Sequence, residues 1–151
     1  MLELARPSDR EIVNTLAGQV HFLHVCWRPD IYCSGEELYS QERFLEAIRQ
    51  RQLYVARIDN QVVGYVLIKI RQLEMPGLIC RKILLVDELC VNEICRGQGI
   101  GTEMMLEVRA LAKAFGCTHL QLGVYPQNDE AVSFWQKCGF TIQSITMSTS
   151  I

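Results

Sequence analysis

Apolar and polar positions along the chain fall into stretches of two periods, one near 2 and one near 3.6. Leu2-Glu3-Leu4 alternates and predicts a short strand. Ser8-Asp9 stands ahead of Ile12, Leu16, Val20 and Leu23, which recur at helical spacing, so the pair can cap a first helix. That helix is expected to stop near Arg28, because Pro29 disfavours helical geometry in the residue before it. Pro29-Asp30-Ile31-Tyr32 then reads as a loop. Ser34 and Glu37 have capping-box spacing, and Phe44, Leu45 and Ile48 carry a second helix toward Gln52. Residues 53–58 and 62–70 alternate around Asp59-Asn60-Gln61, a hairpin signal. Met75-Pro76-Gly77 breaks the pattern. Residues 82–91 are apolar on both faces, as a central strand covered by helices should be.

The second half changes period. Residues 102–115 place Met105, Val108, Leu111, Ala112 and Phe115 on one helical face, ended by Gly116. Residues 118–125 form a further strand, Asn128 caps a helix running to Cys138, Gly139 stops it, and Phe140 opens a last extended segment. Strand, glycine loop, helix and strand make one βαβ unit, whose two strands should be parallel with a right-handed crossover. The picture is a mixed sheet with helices on both faces.

The junction at residues 94–105, ICRGQGIGTEMM, carries the chemistry. Gly97, Gln98, Gly99, Ile100 and Gly101 lie where the unpaired N–H groups of the 102–115 helix point outward at its positive end, with Thr102 opening the helix. Bare backbone lets a bulky anion such as a diphosphate come close, and Arg96 adds a bidentate donor. A tight strand-to-helix turn is the plainer reading, which three glycines in five residues weaken. A dinucleotide fingerprint would need glycine at Thr102 and an acid about twenty residues later, and a phosphate-binding loop of the G-K-[ST] kind would need lysine; neither is present.

Composition narrows the setting. The 17.3 kDa chain fits one domain over residues 1–151, with a core large enough to need no disulfide or metal. A formal charge of −2 with no basic run gives no footprint for nucleic acid, so any anion is held locally. No apolar stretch is long enough for a membrane span, and Met1-Leu2-Glu3-Leu4-Ala5-Arg6 lacks the layout of a secretion signal, which points to the cytoplasm. Seven cysteines, odd in number and without a C-x-x-C pair, argue against a disulfide framework and against zinc. His21 and His24 share a helix face but have no third ligand at a recognisable spacing, so no metal is expected. An edge strand at the C-terminus could pair two subunits into a homodimer.

Arg96-Gly97-Gln98-Gly99-Ile100-Gly101 resembles the R/Q-x-x-G-x-G/A motif of the GNAT superfamily of acyl-CoA-dependent N-acyltransferases, and Leu89-Cys90-Val91 before it resembles that family's L-x-V. A second block, from Asn128 through Ala131, Phe134 and Trp135 to Gly139-Phe140, is similar to its N-x-x-A-x-x-F-Y-x-x-x-G-F segment. Together the motifs cover about the C-terminal two-fifths of the chain; the first eighty residues match in element order alone. The resemblance implies a mixed α/β fold with a sheet of about six or seven strands and a V-shaped cleft between the fourth and fifth. It also implies acetyl-CoA as cosubstrate and an amine, on a small molecule or a protein, as acceptor. By the same carry-over, the diphosphate meets the amides of residues 97 to 102, and main-chain groups around Leu89, Cys90 and Val91 pair with the pantetheine and polarise the thioester carbonyl. Asn128 sits beside the pantetheine.

One departure from that pattern bears on catalysis. Where the family usually has a tyrosine that protonates the departing thiolate, this chain has Trp135, whose N–H donates a hydrogen bond but does not give up its proton near neutral pH. The acid step is vacant or filled elsewhere, and packing of Trp135 with Ala131, Phe134 and Cys138 on one helix face is the plainer reading. General acid catalysis contributes typically about 10²–10⁴-fold, yet a thiolate of pKa roughly 8.5 already leaves fairly well, so a slower enzyme is expected.

Asp87 and Glu88 are the base candidates, with an ion pair to Arg81, Lys82 or a helix as the structural alternative. Strand parity groups Glu88 with Leu84, Val86 and Cys90, and Asp87 with Leu85, Leu89 and Val91. Glu88 is preferred. A lysine-like amine is neutral in about one molecule in 2,500 at pH 7, a penalty near 4.6 kcal/mol, against about 1 for an α-amine, so a strong base would suit a basic alkylamine. By the same resemblance, the stretch between the first two helices, His24 to Cys33, covers the acceptor end of the cleft, so Trp27 and Tyr32 in it, with Tyr125 from the fifth strand, are candidates for the acceptor pocket. The reading is an N-acetyltransferase in which the amine attacks acetyl-CoA directly; the alternative is a module that binds acyl-CoA and has lost turnover.

Overall fold

A computed structural model describes residues 1–151. Five strands form one sheet in the order β1 (Leu2–Leu4), β2 (Leu53–Ile58), β3 (Gln61–Leu73), β4 (Arg81–Val91) and β5 (His119–Leu122). The first four pair antiparallel, and β5 joins β4 in parallel through the crossover helix α3 (Ile100–Ala114). Asp59 and Asn60 both adopt positive φ, +48° and +64°, the geometry of the tight hairpin turn between β2 and β3.

The sheet separates two buried layers. On one face Leu53, Val55, Tyr65, Leu67 and Cys90 pack against α1 (Arg10–Trp27) and α2 (Gln41–Arg49). On the other, Tyr54, Ala56, Val66, Ile68, Leu84 and Val86 pack against α3, with Phe134 and Trp135 of α4 (Asp129–Lys137) at the margin. The mixed α/β class with helices on both faces is thus as expected.

Four boundaries differ from the pattern in the sequence. Helix α2 starts at Gln41, capped by the Ser40 side chain, which accepts from Arg43 N. The Ser34–Glu37 box is not used, because Gly35 turns at φ +92° and the chain first buries Tyr39 completely. Helix α3 starts at Ile100, two residues earlier than expected. Strand β5 stops at Leu122, where its partner bends away. The sheet has five strands, since residues 141–151 form no helix or strand and make no backbone–backbone hydrogen bond.

Candidate functional site

Pairing of β4 with β5 runs from Ile83 opposite His119 to Val86 opposite Leu122 and ends there. On the other side of β4 the ladder with β3 continues to Val91, with a bulge: Leu67 opposes Glu88 while Ile68 opposes Val86, leaving Asp87 as the extra residue. The bulge therefore falls on the first residue past the last β5 pair. An extra residue bends a strand and increases its twist, which is a physical reason for β4 and β5 to part here. Residues 87–91 then have main-chain groups facing an open cleft with no strand to bond. Among their carbonyls, that of Val91 accepts from Arg96 Nε at 3.1 Å and weakly from Cys90 Sγ.

The bulge also corrects the parity expected for this strand. Glu88 and Cys90 lie on the α1/α2 face with Leu67 and Tyr65, whereas Leu84 and Val86 lie on the α3/α4 face, so Glu88 does not share a side with them. Uniform alternation fails at one residue, and every assignment across it reverses.

The α3/α4 side of the cleft is the glycine loop. Gly97 and Gly99 take φ of +77° and +83° with open space around them, so backbone conformation requires glycine there. Gly99 caps α3, and the helix's first internal bond runs from Glu103 N to Gly99 O, leaving the N–H groups of Ile100, Gly101 and Thr102 unpaired at its positive end. Gly101 is bare for another reason: a Cβ there would meet the Phe134 ring at 3.3 Å and Val91 Cγ2 at 3.7 Å. The head of α3, the end of β4 and α4 converge at that point. Arg96 donates Nε to the Val91 carbonyl, which sets its guanidinium beside the loop. This donor set fits a diphosphate, and the unpaired edge of β4 leads from it through the sheet.

On the α1/α2 side stands Glu88. Its Oε2 accepts from Tyr39 Oη and Tyr65 Oη, each at 2.8 Å, and Oε1 from Arg43 Nη2 at 3.3 Å. Burial and the adjacent carboxylate push both phenols far above their ordinary range, so they remain donors at any working pH. Asp87 instead pairs with Lys69 Nζ at 2.6 Å. Trp27, Tyr32 and Tyr125 are brought together around His24, whose ring centre lies 6.0, 5.0 and 5.5 Å from theirs. The hydroxyls of Tyr32 and Tyr125 are 2.9 Å apart, which ties the loop after α1 to the segment after β5. Burial and that hydrogen bond push the Tyr32 phenol up to about 12. His24 is held below its ordinary value, by burial first and then by His21, against an upward pull from Glu88. His21 Nε2 contacts the Cys33 carbonyl at 2.6 Å.

The remaining candidates are structural in their contacts. The Asn128 side chain caps α4, accepting from Ala131 N at 3.1 Å, and its amide nitrogen is uncommitted. Trp135 packs edge-on against Phe134 and Phe140, with ring centres 4.8 and 5.6 Å away. Burial pushes the Cys90 thiol up to about 11, so it stays protonated against the Leu16 carbonyl. Tyr39, Tyr65 and Arg43 are residues that sequence reasoning did not place at the site, and His24 entered it only as one end of the stretch between the first two helices. Only Leu38-Tyr39, an apolar pair in an otherwise polar loop, offered a signal.

The Acetyltransferase (GNAT) family model matches residues 20–140, four-fifths of the chain. The chain belongs to this family. An N-alpha-acetyltransferase from Sulfurisphaera tokodaii is 27% identical over 112 residues, 69% of this chain. The aligned regions take in 59% and 66% of the lengths of the curated relatives matched, under two thirds of each. Among solved structures, a mutant of the BH1408 protein from Bacillus halodurans superposes with a TM-score of 0.94 at 30% identity, covering 100% of this chain and 99% of that one. The aminoglycoside N-acetyltransferase AAC(6')-Iy, solved in complex with CoA, gives 0.74 at 14% identity, covering 100% and 98%, a likeness of fold. Acyl transfer is the general chemistry of the GNAT family.

Proposed function

We propose that this GNAT protein is a cytoplasmic N-acetyltransferase that moves the acetyl group of acetyl-CoA to a primary amine by direct attack in a ternary complex. The observation that carries the reading is the opened edge of β4 at residues 87–91, with unpaired helix amides at one mouth and a carboxylate at the other. Acetyl-CoA supplies an activated thioester. The amides of Ile100, Gly101 and Thr102, with the terminal nitrogens of Arg96, bind its diphosphate. The main-chain N–H groups of Leu89 and Val91, which flank the Cys90 N–H that faces β3, orient the pantetheine arm and stabilise negative charge developing on the carbonyl oxygen. Asn128 offers its free amide nitrogen to the same arm.

The acceptor enters from the α1/α2 side, past Trp27, Tyr32 and Tyr125. Glu88 takes the proton that the ammonium must lose. With three donors already on its oxygens, it does so best through a water or through His24, which is neutral near pH 7 and close enough to feel its charge. Trp135 leaves the acid step to solvent, and the thiol product needs no stronger acid than water. The acceptor is an amine of a small molecule or a protein terminus, the two kinds that the relatives' names carry.

The test is an amine panel with detection of free thiol, run beside thermal shift with CoA. Thiol release with at least one amine, and stabilisation by CoA, are expected. Stabilisation without release would assign the chain to the second reading, a binding module, which the packed Trp135 favours. Neither signal would overturn both.

A further inference from the structure

Glu88 stands at one end of a longer surface. It opposes Leu67, and past that pair the α1/α2 face of the sheet continues as Lys69 opposite Leu85, Arg71 opposite Ile83, and Leu73 opposite Arg81. Their neighbours Ile68, Leu84 and Val86 belong to the core on the other face, which fixes these six on this one. None of the six belongs to the core layer under α1 and α2. β2 has also ended at this level, since Leu53 is its last residue opposite β3 and pairs with Leu67. The strands therefore form an open shelf that leads away from Glu88, with Leu85 and Ile83 as an apolar floor.

The uncompensated charge on that shelf is of one sign. Its single carboxylate, Asp87 at the bulge, is taken up by Lys69 Nζ at 2.6 Å, and β5 adds His119 and Gln121 but no acid. Arg6, Arg10, Arg28, Arg43, Arg49 and Arg57 each pair with a carboxylate, and Arg96 and Arg109 donate to carbonyls. Arg71 and Arg81 do neither. Their register makes them diagonal neighbours across β3 and β4, with Cα atoms about 7–8 Å apart. Like charges so placed repel, and an anion held between them removes the repulsion. Measured along the strand from the level of Glu88, Arg71 lies about 13 Å away and the row of Arg81 about 20 Å.

On the acetyltransferase reading above, which this inference rests on, we propose that the acceptor is the α-amine of an extended peptide with acidic residues a few positions in. The amine sits at Glu88, and the acidic side chains lie over Arg71 and Arg81. Rows on the shelf are about 6.6 Å apart, the spacing of alternate side chains in an extended chain, so residues at about positions four to seven meet the arginines. The residues before them cross Leu85 and Ile83, which accept apolar contact. Each guanidinium can take a carboxylate through two parallel N–H donors. A single amino acid is too short to bridge the two ends, and a lysine-rich terminus is turned away by like charge.

Three synthetic peptides with free amino termini test it, alike except that the fourth to seventh positions are Asp/Glu, Asn/Gln or Lys. Binding to the full chain with CoA present is read by fluorescence anisotropy, and turnover with acetyl-CoA by free thiol. The acidic peptide should bind at least about tenfold tighter than its Asn/Gln counterpart at low salt, with the gap narrowing as salt rises. Arg71→Gln combined with Arg81→Gln should close the gap, raising KM for the acidic peptide with kcat kept, while Arg71→Lys with Arg81→Lys should retain part of it. Neither arginine bonds another side chain, so the variants should fold as before. Equal binding of the acidic and neutral peptides, a gap that the double Gln variant leaves intact, or a preference for the lysine peptide would each overturn the proposal. Equal binding together with turnover of a small amine would leave the arginines as protection of an open edge. Selective binding of the acidic peptide without thiol release would keep the shelf as a peptide site and overturn the transferase reading instead.

Discussion

At the scale of the residue, the two neighbouring acids are separated by their surroundings. Glu88 is gripped by Tyr39, Tyr65 and Arg43 on the face where an acceptor would arrive, while Asp87, the bulged residue, is spent on an exposed ion pair with Lys69. Exposed pairs contribute about 0–1 kcal/mol, so Asp87→Asn should change stability and turnover little. Glu88→Gln keeps the shape and removes the carboxylate proposed as the base. We expect kcat/KM for a lysine-like amine to fall about 10²–10⁴-fold, with a smaller loss for an α-amine that is already partly neutral at pH 7. Calorimetry should find CoA binding unchanged. Equal activity of Glu88→Gln at every pH would remove Glu88 from the mechanism. The sequence allowed a preference for Glu88 over Asp87 to be stated, but the strand neighbours it assigned to Glu88 were wrong, since nothing in ILLVDELCV marks which residue is the extra one.

At the scale of the element, the loop from Arg96 to Gly101 is glycine-rich for two different reasons, and substitutions should distinguish them. Gly99→Ala forces a left-handed alanine at the cap of α3, a strain of roughly 1–2 kcal/mol that the loop can relieve only by moving its amides. Gly101→Ala inserts a methyl 3.3 Å from the Phe134 ring, an overpacking of about 1–3 kcal/mol unless α3 and α4 separate. Both variants should weaken CoA binding and lower the melting temperature of the unliganded protein, Gly99→Ala through backbone strain and Gly101→Ala through crowding of α4. Trimming the facing ring with Phe134→Leu should relieve Gly101→Ala and leave Gly99→Ala unrelieved, and relief of both or of neither would argue against this division. The loop itself was legible from its residues. Where α3 begins was less so, since Ile100 and Gly101 read as loop until Gly99 is seen to carry the cap. Ser34 and Ser40 make the same point for α2: both are sound caps on paper, and the buried ring of Tyr39 selects the second.

At the scale of the whole molecule, the sheet acts as a partition with one gap. The glycine loop proposed to hold the diphosphate lies with α3 and α4, the carboxylate and aromatic cluster lie with α1 and α2, and the parting of β4 from β5 joins them. The Tyr32–Tyr125 hydrogen bond spans that gap on the acceptor side, and His24 beneath it couples the site to folding. Its pKa is lower in the folded state than the ordinary 6.5. Above about pH 6.5 neither state binds the proton and His24 contributes nothing; below it the unfolded chain takes up a proton that the native state resists, so stability falls as pH falls. His24→Gln should therefore flatten the decline in melting temperature between about pH 7 and 5 relative to wild type. Identical slopes would mean that His24 is not held neutral.

The sequence alone determined the elements whose causes are local: the hairpin at Asp59-Asn60, the end of α1 before Pro29, the glycine loop, and a central strand apolar on both faces. These follow from φ preferences, caps and periodicity, all readable within a few residues. The tertiary structure decided what depends on neighbours distant in the chain. It placed the bulge at Asp87 by setting β3 against β4, ended β5 at Leu122, and gathered Tyr39, Tyr65 and Arg43 onto Glu88 and three aromatic rings around His24. It also left residues 141–151 unpaired despite their strand pattern, because a strand is completed by a partner's hydrogen bonds, and periodicity specifies a face without supplying that partner.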